Sequence, residues 1–317
     1  MVKHPQILNS SFITHHSFSP FLQMKNIRNI LVPTDFSVTS RNAYHYAKRL
    51  AITLDATVTV VHVNSYFMPI PEVAIGSLSE DEVNKMSEEA MTSFVKDEDG
   101  TDHWKMMRHP VKTRILKGNL VETLVDLSRE NETDLIVMGM TGMQDFISKI
   151  IGSAALEVSG SAKCPVILIP RDTKWHKIDR VMYASNYMST TPKMVGLITE
   201  FAISVDAAIH FVHVEDFTAE VKTDVAKIIW NELFSMTDTP ALSFEIHSLS
   251  GLDRIEELKN YAEQNDMNLM VFVSKKRSFW RNLMHTSVTE NMAIATNIPM
   301  MVMHIDDIPP SVLPPNL

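Results

Sequence analysis

The stretch Leu135-Ile136-Val137-Met138-Gly139-Met140-Thr141-Gly142 joins an apolar run to a pair of glycines. A short apolar run bounded by turn residues is typical of a buried strand in a parallel sheet. A glycine-serine pair follows at Gly152 and Ser153, where we predict that a helix begins. Glycine has no Cβ and tolerates positive φ, so backbone N–H groups can converge on an anion, and a helix N-terminus adds donors. The stretch therefore predicts a phosphate-binding junction.

The chain repeats short apolar strands and helical patterns at long range. Residues 30–35 (Ile-Leu-Val-Pro-Thr-Asp) form an apolar strand that ends in turn residues, and residues 181–186 have the same character 151 positions later. The apolar run 58–63 recurs at 209–214 with the same offset. Strands that alternate with helices indicate βαβ units. We therefore predict an α/β protein with two tandem, doubly wound parallel-sheet domains of Rossmann-like fold.

The offset between the halves also predicts the domain bounds. We expect a disordered leader at residues 1–24 and a first domain at residues 25–172. A second domain is expected at residues 177–306 and a tail at residues 307–317. The offset falls from 151 to 133 between the second strand and Gly118, which indicates an insertion in the first half, at residues 66–80. Translation is expected to start at Met1 or at Met24.

Composition excludes several classes of protein. The 317 residues carry a net charge of −9, which argues against a nucleic-acid surface because that surface needs clustered Lys and Arg. One cysteine, Cys164, excludes an intrachain disulfide and a CxxC metal site. No apolar stretch approaches the ~18 residues of a membrane span. We expect a cytoplasmic protein.

Several motifs resemble the universal stress protein family. They are residues 30–37 (Ile-Leu-Val-Pro-Thr-Asp-Phe-Ser), residues 61–63 (Val-His-Val), the pattern G-x2-G-x9-G-S from Gly139 to Ser153, and residues 164–170 (Cys-Pro-Val-Ile-Leu-Ile-Pro). The resemblance is specific in the first half and extends to the second by pattern alone. It implies an adenine-nucleotide alpha-hydrolase-like fold and a regulatory role in stress response.

The resemblance also implies an ATP site, with or without Mg²⁺, in the first domain. Its adenosine end would meet Asp35 and the adjoining backbone, and its adenine the backbone of Val63. Its ribose and phosphates would meet the glycine motif. The implied binding residues are Pro33, Thr34, Asp35, Val63, Met138, Gly139, Gly142, Gly152 and Ser153. Purely structural roles stay open: Asp35 or Ser153 as a helix cap, and the glycines as tight-turn residues.

The second half departs from the glycine pattern. With an offset of 134 residues, Gly139 aligns with Val273, Gly142 with Lys276 and Gly152 with Thr286. We predict that this half does not bind ATP in the same way, because a β-branched valine disfavours positive φ and fills space. Lys275, Lys276, Arg277 and Arg281 form either a solvated basic face or a surface for an anion or acidic partner.

Two other functions remain open at this stage. One is a slow ATPase or nucleotidyl-transfer enzyme, although the sequence has no G-x4-G-K-[ST] loop, no S-G-G-x-D-S loop and no evident catalytic residue. The other is a ligand-free protein-interaction module. We predict no metal ligands. We also expect strands 165–170 and 299–304 to pair as an intrachain pseudo-dimer, with association into a homo-oligomer or with a protein partner left open.

Overall fold

The computed structural model of the chain describes residues 27–65, 79–96, 108–130, 133–140, 152–185, 192–215, 243–250, 254–274 and 297–304. They fall into two compact units, one from Ile27 to Trp175 and one from His176 onward. The predicted leader, the tail and residues 66–78 of the insertion lie outside the described residues. Within the described ranges, no helix combines the length and the apolar character needed to cross a membrane.

The first unit is a five-stranded parallel sheet with helices between its strands. The strands are β1 (Asn29–Pro33), β2 (Thr57–Asn64), β3 (Lys112–Lys117), β4 (Leu135–Gly139) and β5 (Val166–Ile169). The helices are α1 (Val38–Leu54), α2 (Glu80–Lys96), α3 (Leu120–Leu127) and α4 (Ser153–Ser161). The order is β3-β2-β1-β4-β5, and each neighbouring pair is parallel. The chain therefore reverses direction across the sheet between β1 and β4, where α/β folds bind ligands.

Burial explains why these segments form central strands. Every residue of β5 is buried, as are four of the five residues of β1 and of β4. Continuous apolar runs of this kind are stable only where both faces of a parallel sheet are covered. Strand β3, at the end of the order, is Lys-Thr-Arg-Ile-Leu-Lys, and four of its six residues are exposed: Lys112, Thr113, Arg114 and Lys117. Charged side chains on such a strand protect its open edge from pairing.

Helix α1 shows how the sequence sets the ends of these elements. Ser37 caps its N-terminus, because the Ser37 side chain accepts a hydrogen bond from Ser40 N. Asp55 ends the helix in the left-handed conformation, with φ 53°. Between these ends, alanines such as Ala43 and Ala47 are fully buried and let the helix approach the sheet closely.

The second unit repeats this order of elements. Its strands are β6 (Arg180–Ser185), β7 (Ala208–Glu215), β8 (Phe244–Ser250), β9 (Leu269–Ser274) and β10 (Met300–His304), with helices α5 (Pro192–Val205) and α6 (Arg254–Gln264). The order β8-β7-β6-β9-β10 matches that of the first unit, and the pairs are again parallel. The prediction of doubly wound parallel sheets is confirmed.

Matching hydrogen bonds tie the first strand of each unit to the fourth. In the first unit, Asp134 Oδ2 accepts from Arg28 N at 3.0 Å and from Asn29 N at 2.9 Å. In the second unit, Asn268 Oδ1 accepts from Asp179 N at 3.0 Å and from Arg180 N at 2.9 Å. Residues at equivalent positions in the two halves of the sequence thus make the same hydrogen bonds in the two units.

Candidate functional site

The carboxyl ends of β1, β2 and β4 meet at one edge of the first sheet. Pro33, the last residue of β1, is in register with Val61 of β2, and Leu31 is in register with Ile136 of β4. The residues that follow these strands therefore lie at the point where the strand order reverses. Of the predicted binding residues, this edge brings together Pro33, Thr34, Asp35, Val63, Met138 and Gly139. Gly142 lies outside the described residues.

The turn from β1 into α1 is held by its own polar side chains. Phe36 N donates to Thr34 Oγ1 at 2.9 Å, and Ser37 N donates to Asp35 Oδ1 at 3.0 Å. Asp35 is exposed, and its carboxylate contributes to this turn while Ser37 caps the helix. The turn places the exposed Asp35 at the rim of the site.

Phe36 is a strained residue that the sequence analysis did not identify. Its φ is 63°, a left-handed conformation that is an outlier for a bulky side chain and costs about 1–3 kcal/mol. Its ring packs on His62 with a centroid distance of 4.4 Å and on Phe94 at 5.8 Å. His62 Nδ1 lies 2.8 Å from Thr34 O; a carbonyl only accepts, so Nδ1 carries the proton. His62 thus has the local partner that makes it a structural residue of the turn.

The backbone of Val63 faces the gap that opens where β1 ends. Val61 O accepts from Thr34 N at 2.8 Å, so the backbone of Val61 is directed toward β1. Asn64 O accepts from Gly118 N at 3.0 Å, so Asn64 is directed toward β3. Alternate residues of a parallel strand face the same neighbour. Val63 therefore directs its backbone toward the β1 side. It lies two residues past Val61, which is in register with Pro33, the last residue of β1.

Asn64 is a second residue that sequence reasoning missed. Asn64 Oδ1 accepts from Ser87 Oγ at 3.1 Å. Asn64 Nδ2 is buried and has no hydrogen-bond partner within the described part of the chain. A buried donor without a partner is costly, at about 1–3 kcal/mol. The only signal in the sequence was a polar residue at the end of an apolar strand.

Gly139 is required for a different reason from the one that the sequence suggested. A Cβ built on Gly139 would lie 2.7 Å from Thr39 Cγ2 and 3.2 Å from the Thr39 backbone C and O. Among the described glycines only Gly118 has a positive φ, and Gly152 has φ −63°. The expectation that Gly139 and Gly152 exploit positive φ is therefore wrong. Gly139 instead allows the first turn of α1 to touch β4.

The N-terminus of α4 begins at the same edge, next to the end of β4. Its N-cap is Gly152, which makes no side-chain capping bond, and exposed Ser153 is the first helical residue. The alternative of Ser153 as N-cap is thus wrong by one position. Gly152 N donates to Met140 O at 2.6 Å, which holds the start of α4 against the end of β4. The first N–H groups of a helix have no partner within the helix and carry partial positive charge, so this terminus can accept an anion.

The second unit is described at one of the compared positions only. Val273 lies in β9 and is in register with Met303 of β10. Lys276 and Thr286 lie outside the described residues, as do Lys275, Arg277 and Arg281.

Known proteins similar to this chain support its fold and the family of its first unit. The model of the universal stress protein family matches residues 26–170. A universal stress protein of Methanocaldococcus jannaschii is 29% identical over 149 residues, 46% of this chain and 84% of that protein. One from Mycobacterium tuberculosis is 25% identical over 147 residues, 46% of this chain and 98% of that protein. The crystal structure of a universal stress protein from Archaeoglobus fulgidus matches the fold with a TM-score of 0.65 at 16% identity, over 88% of this chain and 97% of that one. Residues 26–170 therefore match the universal stress protein family model, and these similarities support that family for the first unit.

Proposed function

We propose that the first unit binds ATP at the carboxyl edge of its sheet, and that the chain is a cytoplasmic regulatory protein of the stress response. The observation that carries the proposal is the N-terminus of α4, where Gly152 provides no capping side chain and Gly152 N donates to Met140 O just after β4, the strand next to β1. A helix N-terminus at the reversal of strand order favours a phosphate.

The phosphates would lie between β4 and α4. The N–H groups of the first turn of α4 point away from the helix body, and the Ser153 hydroxyl adds a donor. Gly139 keeps the carboxyl end of β4 free of a side chain, and we assign Gly142 to the same phosphate site. Met138, buried next to Gly139, would border the ribose.

The adenosine would lie between β1 and β2. Val63 directs its backbone N–H and C=O into the gap beyond Pro33, a pattern that suits the hydrogen-bonding edge of adenine. Asn64 Nδ2 supplies a buried donor that needs an acceptor. Asp35, exposed at the rim and acceptor-only when ionised, suits ribose hydroxyls.

The two units form a tandem universal-stress-type protein in this proposal, with a single ATP site. The second unit repeats the strand order of the first but has Val273 where the first has Gly139. We further propose that residues 165–170 and 299–304 pair as an intrachain pseudo-dimer. Mg²⁺ would accompany ATP and offset part of the phosphate charge.

The first experiment is acid extraction of the purified full-length chain, with identification and quantification of the released nucleotide. The expected result is one adenine nucleotide per chain and a rise in Tm when ATP is added to the stripped protein. Two nucleotides per chain would contradict the single site. No nucleotide and no change in Tm would overturn ATP binding and favour the protein-interaction module.

A charge placed at the start of α4 tests the site itself. Ser153→Glu favours the helix through its dipole but repels a phosphate. We expect unchanged or higher Tm and an ATP affinity at least about tenfold weaker. Thr113→Glu, at the exposed amino end of β3, makes the same charge change at the opposite edge of the sheet and should leave affinity unchanged. Equal losses in both variants would contradict the assignment.

Turnover separates a binding protein from an enzyme. With Mg²⁺ present, we expect ATP hydrolysis at the background rate, unchanged in Asp35→Ala. Turnover above background that disappears in Asp35→Ala would instead support the slow ATPase.

A further inference from the structure

Two histidines and a glutamate converge in the second unit. One ligand-type atom from each of His210, Glu245 and His247 lies within 4.8 Å of the others. His247 Nε2 is 2.8 Å from Glu245 Oε2, and His210 Nδ1 is 4.0 Å from the same oxygen. The two imidazole rings are nearly parallel, with an interplanar angle of 8° and a centroid distance of 5.5 Å.

The pairing of β7 with β8 creates this cluster. His210 is in register with Glu245, and Val212 is in register with His247. Residues two apart on a strand share one face of the sheet, so Glu245 and His247 face the same side as His210. Helix α6 covers that side through Tyr261, whose Oη lies 2.8 Å from His210 Nδ1. We name His210, Glu245 and His247 the His-Glu-His cluster.

Burial distinguishes the His-Glu-His cluster from a chance surface grouping. The side chains of His210 and His247 are 11% and 5% exposed, whereas the Glu245 side chain is 40% exposed. His247 Nδ1 is buried and makes no hydrogen bond to any described residue. Two nitrogen ligands thus sit inside the fold and one carboxylate sits at its entrance.

We propose that the His-Glu-His cluster binds one divalent transition-metal ion, with Zn²⁺ the preferred ion. Imidazole and carboxylate are both ligands of Zn²⁺, at about 2.0–2.2 Å from the ion. Tetrahedral geometry then places ligand atoms roughly 3.3–3.5 Å apart. The contact between His247 and Glu245 is shorter than this and that between His210 and Glu245 is longer, so small side-chain rotations bring all three atoms to an ion. Tyr261 Oη or a water molecule completes the coordination.

The first unit provides an internal comparison. Its β2 and β3 pair in the same register, with Thr59 opposite Lys112 and Val61 opposite Arg114. The offsets of 151 and 133 place Thr59, Lys112 and Arg114 at the positions of His210, Glu245 and His247. Threonine and two cations do not form a site for a metal ion. The metal site is thus specific to the second unit, and it does not depend on ATP binding in the first.

Arg180, a cation that acts electrostatically on His210, is already engaged with other groups. Arg180 Nη1 donates to Asn265 O at 3.1 Å and lies 3.8 Å from Asp266 Oδ2. Its charge is therefore partly compensated by Asp266 and does not replace a metal as the partner of Glu245.

Metal titration of the full-length chain tests the proposal. The protein is treated with a chelator, exchanged into chelator-free buffer and titrated calorimetrically with ZnCl₂. We expect one Zn²⁺ per chain and a rise in Tm. Glu245→Gln and His247→Gln should each weaken the affinity by about tenfold or more, since loss of a ligand exceeds the 10- to 100-fold effect of an outer-shell partner. Co²⁺ should give the visible absorption of a four-coordinate ion.

Controls separate this site from other histidines. His213→Gln lies on β7 with the opposite strand parity and should leave the affinity unchanged. Residues 1–24 include His4, His15 and His16, so a full-length variant with all three changed to Gln should keep the Zn²⁺ site. Absence of binding, or binding lost only in that triple variant, would overturn the proposal. If His247→Gln does not fold, Glu245→Lys installs the residue found in the first unit, and retained affinity in it would equally overturn the proposal.

Discussion

Replacement of Gly139 by alanine should destabilise the first unit because β4 and α1 are in direct contact there. The added Cβ would lie 2.7 Å from Thr39 Cγ2, well inside the usual contact distance. Thr39 is buried and β-branched, so its side chain has few alternative rotamers within a helix. The Thr39 backbone C and O, at 3.2 Å, belong to the first turn of α1 and move only with the helix. Overpacking of this kind costs about 1–3 kcal/mol in the free energy of unfolding.

The matched control is Gly160→Ala, in α4. A Cβ added at Gly160 meets nothing within 4 Å, and alanine is a better helix former than glycine by about 1 kcal/mol. The same chemical change is therefore expected to raise the free energy of unfolding at Gly160 and to lower it at Gly139. Urea unfolding followed by circular dichroism measures both, with midpoints compared at equal slope.

A double-mutant cycle isolates the cause. Thr39→Ser removes Cγ2, the atom nearest to the new methyl group, and leaves the backbone atoms at 3.2 Å. We expect Thr39→Ser to rescue Gly139→Ala in part, with a coupling energy of about 0.5–2 kcal/mol. A stable Gly139→Ala variant that loses only ATP affinity would refute the packing argument. Equal destabilisation in Gly160→Ala would refute it as well.

Three further predictions concern single side chains of the first unit. Tyr46→Phe should leave the free energy of unfolding unchanged or raise it by up to about 1 kcal/mol. The reason is that Tyr46 Oη is buried without a hydrogen-bond partner among the described residues. Burial also raises the pKa of this phenol, so it stays protonated. A loss above 1 kcal/mol would contradict this. Asp134→Ala should lower the free energy of unfolding by about 2–4 kcal/mol, because Arg28 N, Asn29 N and Asn29 Nδ2 lose their acceptor. Asp134→Asn copies Asn268 of the second unit and should lose less than half as much stability in the same urea assay. Hydrogen bonds from the Ser79 backbone and hydroxyl lower the pKa of Glu82, so their stabilisation is present above the ordinary carboxyl pKa and is lost as pH falls through the folded pKa. The Tm difference between the parent and Ser79→Ala should therefore shrink on acidification, and a constant difference would contradict the capping role.

The sequence predicted the elements of the first unit better than the reasons for its key residues. Apolar runs and turn residues placed β1, β4 and the start of α4 within a residue or two of their observed bounds. Gly139 was recognised as special, but its role in helix contact depends on Thr39, a hundred residues away in the chain. Phe36 was missed because a phenylalanine gives no signal of a left-handed conformation.

The His-Glu-His cluster could not be predicted because it has no local spacing. His210 and Glu245 are separated by 35 residues and become neighbours only through the register of β7 and β8. A pattern of two histidines and a glutamate becomes meaningful only when strand pairing is known. The comparison with Thr59, Lys112 and Arg114 likewise requires the two registers.

The central place of β1 has a consequence for synthesis on the ribosome. β1 pairs with β2, which follows it closely, and with β4, whose last residue, Gly139, is 75 positions after Asn64 at the end of β2. At a translation rate of about 5–20 residues per second, the β4 side of β1 waits roughly 4–15 s for its partner. During that time the apolar edge of residues 30–32 is open to other nascent chains. The interval before β4 emerges is thus the time when the unpaired edge of β1 is most exposed to mispairing.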